Sequence, residues 1–297
     1  MLKKLLWAGS LCGCVMTAHA QEFQDYLSKY TQENGMGYME PFADAFGASI
    51  NTGWFHSASI EKMEPQIYVG IVGMMVVVPE RKKSFIATPE GLFTPKFPVE
   101  VPTIFGSGES VTAEGDGGTS YTFPGGLNVT AVTLAAPQLD VGSFFGTQAS
   151  VRFLIYDFGG EIGKLNMFGM GVRHNISQYI PSLPAHLAVG YYWTTFQLGD
   201  ITDAKNSFIS LQGSYPMKKL TFYGGLGYEL TTMQVGYTFK GEEGMEEDIN
   251  FDLKGSNKVR LTLGASLKLG PVRLNGDYNL SDQGVFSCGL GFDIGRK

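Results

Sequence analysis

The sequence predicts an all-β fold: a transmembrane antiparallel up-and-down β-barrel of about 12–14 strands, preceded by a short N-terminal helical plug-like segment. The first observation behind this prediction is a series of strand-length runs in which apolar and polar residues alternate. The second observation is a leader peptide at the start of the chain. The third is that the short connections between the runs fall on one side of the predicted barrel and the long connections on the other. In a membrane barrel the apolar face of each strand meets lipid and the polar face lines the lumen.

The start of the chain has the character of a secretory signal. Two lysines precede an apolar run (5–16) that ends in an A-x-A cleavage motif, so residues 1–20 are predicted to be a signal peptide that is removed. The alternative is lipidation of Cys14. Once the signal is removed, Cys288 is the remaining cysteine, and an internal disulfide is therefore not expected.

Residues 21–46 are predicted to form an N-terminal helical hatch segment. Phe23, Tyr26 and Tyr30 recur there at helical spacing. The functional interpretation is a plug inside the periplasmic mouth of the barrel, and the alternative is a solvated leader.

Residues 47–297 are predicted to form an outer-membrane barrel. In the run 259–269 every second residue is apolar, and the pattern resumes after the turn Gly270-Pro271. We expect the leucine and valine face of this hairpin to meet lipid. The run 218–239 shifts parity near Leu230, which predicts a bulge or a second turn there. The lumen-facing residues expected in the hairpin are Arg260, Lys268, Arg273 and Asp277. The strand candidates are 47–58, 66–79, 82–88, 127–139, 148–158, 163–176, 186–198, 203–215, 218–239, 257–269, 271–280 and 283–294.

The connections differ in length between the two sides of the barrel. The tight turns at 216–217 and 270–271 fall on the predicted periplasmic side, and the long connection 240–256 falls outside. The loop 89–126, rich in proline and aromatic residues, is expected to fold over or into the mouth. The segment 173–184 is expected to place a short helix at the membrane–water interface, and a loop packed under the barrel is the alternative.

The composition supports a membrane barrel and argues against nucleic-acid binding. Only 17% of residues are charged, against about 25% in soluble domains, and 40 of the 297 residues are glycine. The net charge of −6 argues against nucleic acid as a partner, because such binding needs a basic surface.

Several motifs resemble an uncharacterised outer-membrane β-barrel family in the neighbourhood of the long-chain fatty-acid transporters. They are "GYMEPFADAFGASINTGWFHSA" (37–58), "VPTIFGS" (101–107), "VRF" (151–153) and "GVRHNISQYIPSLP" (171–184). The resemblance implies that the protein is located in the outer membrane of a Gram-negative cell, where lipid and lipopolysaccharide are its partners. It also implies that the protein transports a hydrophobic compound. The last strand, 287–294, looks like the terminal signal read by the barrel-assembly machinery, which is a further expected partner.

Neither a catalytic site nor a metal site is predicted, and the chain is expected not to be an enzyme and to need no cofactor. His56, His174 and His186 lack metal-motif spacing. We interpret His56 as interfacial and His174 as a structural side chain at a strand end. An acidic cluster is interpreted as a solvated loop, with calcium binding as the alternative. The cluster consists of Glu242, Glu243, Glu246, Glu247 and Asp248.

The function expected from these features is that of a channel or transporter for small, fatty-acid-like hydrophobic molecules. The alternatives are a structural or assembly barrel with a plugged lumen that presents loops to partners and, less favoured, an outer-membrane enzyme. An apolar ligand path is predicted along aromatic residues of the two non-strand segments, with two arginines anchoring a carboxylate. The predicted ligand-binding residues are Tyr38, Phe42, Phe93, Phe97, Ile104, Phe105, Arg152 and Arg173.

Overall fold

A computed structural model describes residues 20–157, 163–180, 182–241 and 245–295. The predicted signal peptide up to residue 19, and Glu242 and Glu243 of the acidic cluster, lie outside these ranges. The helices are α1 (Ala20–Leu27) and α2 (Gln32–Ile50). The strands are β1 (Gln66–Val77), β2 (Ser84–Ala87), β3 (Val99–Pro102), β4 (Val111–Glu114), β5 (Ser120–Phe123), β6 (Ala131–Phe144), β7 (Thr147–Asp157), β8 (Lys164–Asn175), β9 (His186–Leu198), β10 (Thr202–Met217), β11 (Leu220–Lys240), β12 (Glu246–Lys254), β13 (Val259–Leu269), β14 (Val272–Leu280) and β15 (Val285–Ile294).

The long strands form a closed antiparallel barrel, which confirms the predicted fold class. Each strand pairs with its neighbour in the order β10-β9-β8-β7-β6-β1-β15-β14-β13-β11, and β10 pairs with β11 to close the ring. Strand β12 pairs with the second half of β11, from Thr232 to Lys240, whereas β13 pairs with the first half, from Leu220 to Tyr228. The strands β12 and β13 therefore make one wall strand, interrupted at 255–258. Counted this way, the described residues give ten strands in the closed ring.

The strand number differs from the 12–14 expected, for two reasons. The candidate 47–58 is wrong: it covers the end of α2 and a segment that crosses the lumen. The candidate 82–88 contains only β2, which pairs with β3 outside the barrel. The expected parity shift near Leu230 is also absent from β11, which alternates without interruption along this described stretch. The irregularity lies in its partner, at 255–258.

The two faces of the wall are as predicted. Leu263 is 56% exposed on the outside, whereas Thr262 beside it is 4% exposed inside. Arg260, Arg273 and Asp277 are buried in the lumen. The outward apolar side chains form a belt around the barrel, as lipid requires. In the part of the chain that the structure describes, α1 and α2 are too short or too polar to cross a membrane as helices.

The barrel has two different ends. The "turn end" carries the tight hairpins at 145–146, 218–219 and 270–271. The "loop end" carries the cap, defined as residues 78–130, in which β2 pairs with β3 and β4 with β5. Helix α2 contacts this cap and the upper wall strand β12. The hatch therefore lies at the loop end and not at the turn end, where the plug was expected.

Candidate functional site: the lumen and its plug

The lumen is filled by the N-terminal part of the chain, here called the plug and defined as residues 20–65. Helix α2 is buried along most of its length, with Tyr38, Phe42 and Phe46 in the core. Its glycines let it fit closely: a Cβ on Gly35 would collide with Tyr237, and one on Gly47 with Thr231. The small residues of α2 thus bring the helix against strand β11.

After α2 the plug descends through the lumen to the start of β1 at the turn end. Arg152 of β7 holds it near the top, because its guanidinium donates to the carbonyls of Thr52 and Gly53, both at 2.9 Å. The same group lies 4.1 Å from the ring centroid of Trp54, in cation–π geometry. The side-chain oxygen of Gln138 accepts a further bond at 2.7 Å. Arg152 is fully buried.

Other wall residues bind the plug above and below this level. Arg260 Nη2 donates to the carbonyl of Ala48 at 2.7 Å. Lower down, Arg173 donates to the carbonyl of Ser57, and the Asn175 amide donates to that of Ile60 at 2.6 Å. The segment after α2 forms no strand in the described sheets, so wall side chains satisfy the carbonyls of Ser57 and Ile60 instead.

Sequence reasoning placed Arg152 and Arg173 on lumen faces of neighbouring strands, and both lie there. It did not foresee that their guanidinium groups bind plug carbonyls and the side chains of Gln138 and Gln148. Their use as carboxylate anchors stays a prediction, and it requires a ligand to replace these bonds. The signal that was missed is the segment 51–60, which has no acidic residue, lysine or arginine, in a chain whose wall strands carry arginines on their lumen faces.

The predicted ligand-path residues divide into two groups. The Phe42 and Phe105 rings lie 6.3 Å apart, and Ile104 donates its backbone N–H to the Tyr38 carbonyl at 3.2 Å. These four residues are buried in one apolar cluster with Phe46 and Phe196. Phe93 and Phe97 lie elsewhere: Phe93 contacts Tyr121 in the cap, and Phe97 is 69% exposed. The cluster is a packed core between plug and cap.

Polar contacts fasten the cap to the plug. Lys82 Nζ lies 2.8 Å from Asp44 Oδ2 and 3.1 Å from Glu40 Oε1. Burial lowers the pKa of Lys82, but the two carboxylates outweigh it and the net pKa is raised. The Tyr38 hydroxyl donates to the Gly125 carbonyl at 3.1 Å. Burial, followed by the phenols of Tyr30 and Tyr26, raises the pKa of Tyr38 well above its ordinary value, so it stays a neutral donor.

The histidines occupy structural positions. His56 is buried in the lumen with its ring 4.6 Å from that of Tyr68, so the interfacial interpretation is wrong. His174 lies within 2.9 Å of Thr147 and Tyr179 at the turn end. Tyr179 itself is 69% exposed at the end of a single short helical turn. Within the described ranges, acidic, histidine and cysteine side chains do not gather in a group able to hold a metal ion.

These features define a class of protein: a transmembrane β-barrel whose lumen is occupied by its own N-terminal segment. The chain belongs to the Family of unknown function (DUF6588), whose model matches residues 1–294. Curated protein sequences give no match.

Solved structures of outer-membrane barrels are similar at low identity. The toluene transporter TbuX of Ralstonia pickettii is 7% identical, with 91% of this chain and 99% of that chain covered and a TM-score of 0.26. The outer-membrane protease OmpT of Escherichia coli is 11% identical, with 80% and 98% covered and a TM-score of 0.31. The attachment invasion locus protein Ail of Yersinia pestis is 10% identical, with 79% and 100% covered and a TM-score of 0.25. Likenesses this distant do not transfer a function.

Proposed function

We propose that the protein is an outer-membrane barrel that is closed to diffusion and works by presenting its loop end to partners. The apolar belt and the alternating wall support the membrane location. The observation that carries the closed state is the binding of plug carbonyls by Arg152, Arg173 and Arg260.

The energetics favour a plug that stays in place. A hydrogen bond from a charged donor contributes about 1.5–3 kcal/mol, and removing its acceptor leaves a buried charge without a partner. Expelling the plug would break several such bonds at once and expose the apolar face of α2. The cap covers the loop end of the plug and is bound to it through the Lys82–Asp44 ion pair and the hydrogen bond from Tyr38.

Planar-bilayer conductance tests the closed state. The wild-type protein is expected to give no steady channel steps. Arg152→Met is expected to admit ion leakage, because it frees the carbonyls of Thr52 and Gly53. Arg273→Met is the matched control: this buried arginine bonds the wall residues Asp293 and Ser266, so its loss leaves the plug contacts intact. Stable open steps from the wild type would refute the closed barrel.

A second candidate, transport of a small hydrophobic molecule, is favoured by one observation: the aromatic cluster of Phe42, Phe46 and Phe105 between plug and cap. Ligand sites are mostly apolar with a few polar anchors. Binding of a labelled fatty acid would then fall in Phe105→Ser and stay unchanged in Phe97→Ser, which alters an exposed cap residue of the same type. Equal binding by both variants would argue against this candidate.

A further inference from the structure

The plug joins the barrel wall at the turn end. There the carbonyl of Lys62 accepts a hydrogen bond at 3.0 Å from the backbone N–H of Gly146. The carbonyl of Glu64 accepts one from the backbone N–H of Ser143, also at 3.0 Å. Both donors belong to the hairpin between β6 and β7, and β1 begins two residues after Glu64. The chain therefore enters its first wall strand from the side of the tight turns.

The other end of the plug lies at the loop end. Ser28, which follows α1, accepts a hydrogen bond at 2.8 Å from the backbone N–H of Lys240, the last residue of β11. The Glu90 carboxylate of the cap accepts a bond at 3.0 Å from the backbone N–H of Thr31. On α1 itself, Asp25 is exposed to solvent. The chain ahead of α2 is thus on the opposite side of the barrel from the start of β1.

The segment 51–65 connects the two ends through the lumen. An extended chain spans up to about 3.3–3.6 Å per residue, so this segment is long enough to cross the ~30 Å hydrocarbon core of a membrane. Arg152 binds the carbonyl of Thr52 near the loop end. Arg173 binds that of Ser57 further along the segment. Because the described strands form a closed ring, the chain ahead of β1 passes inside that ring.

The orientation of the ring gives this path a direction. Outer-membrane barrels have short turns on the periplasmic side and longer loops outside, so the loop end is the outer side. The predicted signal peptide delivers the chain to the periplasmic side. We infer that the barrel exports its own N-terminal segment, residues 20–50, through its lumen and displays outside the cell any polypeptide joined ahead of α1. This goes beyond the proposed function, which concerns the barrel once the plug is in place.

Contacts at the loop end hold the exported segment. The ring centroids of Phe42 and Phe46 lie 4.2 Å apart, and that of Phe46 lies 4.8 Å from that of Phe196 in the wall. Asp44 forms an ion pair with Lys82 of the cap. These contacts form once α2 has reached the loop end, so the burial of its apolar face stabilises the exported position.

Cysteine labelling of intact cells tests on which side α1 lies. In a Cys288→Ser background, Asp25→Cys is expected to react with a maleimide reagent too large to cross the outer membrane. Lys219→Cys is the matched control, because Lys219 is exposed in the tight turn at the turn end. It is expected to react only after the outer membrane is permeabilised. Asp25→Cys that stays unlabelled on intact cells, or Lys219→Cys that reacts there, would overturn the inference.

A fused domain tests passage through the lumen. A small disulfide-stapled domain is inserted between Gln21 and Glu22, and the control is the same domain with its cysteines replaced by serine. We expect protease added to intact cells to cleave the serine form, which crosses unfolded, and to leave the stapled form intact on the periplasmic side. Equal cleavage of both forms would refute passage through the lumen, and protection of the serine form would refute export. Conductance of the wild type tests the closed state separately.

Discussion

Arg260 and Glu229 form an ion pair inside the barrel, with Arg260 Nη2 2.9 Å from Glu229 Oε2 and both side chains fully buried. The pair joins strands β13 and β11, and the same guanidinium nitrogen binds the carbonyl of Ala48 in the plug. Arg260 therefore contributes both to the pairing of wall strands and to the position of the plug.

Glu229→Ala is expected to destabilise the barrel by about 3–5 kcal/mol, because it leaves Arg260 charged, buried and without its carboxylate. The measurement is urea unfolding in lipid vesicles. The double variant Glu229→Leu/Arg260→Met removes both charges and is expected to recover part of the loss. A single-variant effect below about 0.5 kcal/mol would mean that the pair is hydrated.

Leu263→Arg is expected to cost about 2–4 kcal/mol of folding free energy in a bilayer, since this residue lies in the outward apolar belt. Asn166→Arg is the control: Asn166 also points outward, but it lies near the loop end beside Gln197. We expect little change there. The yield of folding into lipid vesicles measures the effect of each variant. An equal loss of yield in the two variants would contradict the position of the apolar belt.

The attachment of the cap through Lys82 is expected to persist across neutral pH and to weaken in strong alkali. Because the folded-state pKa of Lys82 is raised above 10.5, its contribution is fully present below that value and is lost as the pH rises through the folded pKa. Protease cleavage of the cap should rise in that range for the wild type. The cap of Lys82→Met should be cleaved faster than that of the wild type at every pH, without the rise in alkali. A rise in the cleavage rate of the wild type near neutral pH would contradict the contact.

The sequence was sufficient to predict the alternating wall, because the alternation of apolar and polar residues is local and follows directly from which face meets lipid. It anticipated the helical part of the plug over 21–46 but failed for the part that follows. The run 47–58 was interpreted as a strand, yet its carbonyls bind wall side chains about 100 residues away, such as Arg152. It also missed β12, where Ile249, Phe251 and Leu253 point inward onto the plug. Beyond the apolar belt the outer face of the barrel meets water. The apolar residues of β12 therefore point inward, whereas those of the strands within the belt point outward.

Helix α2 lies inside the barrel against the wall, and a cysteine pair tests this placement most directly. A Cβ on Gly47 would lie 3.0 Å from that of Thr231, so a small shift reaches the ~3.5–4.5 Å of a disulfide. In a Cys288→Ser background, Gly47→Cys/Thr231→Cys is expected to cross-link within the outer membrane. Gly47→Cys/Thr232→Cys should not, because Thr232 points outward on the same strand. The absence of the first cross-link, or equal yields from both pairs, would contradict the plugged barrel.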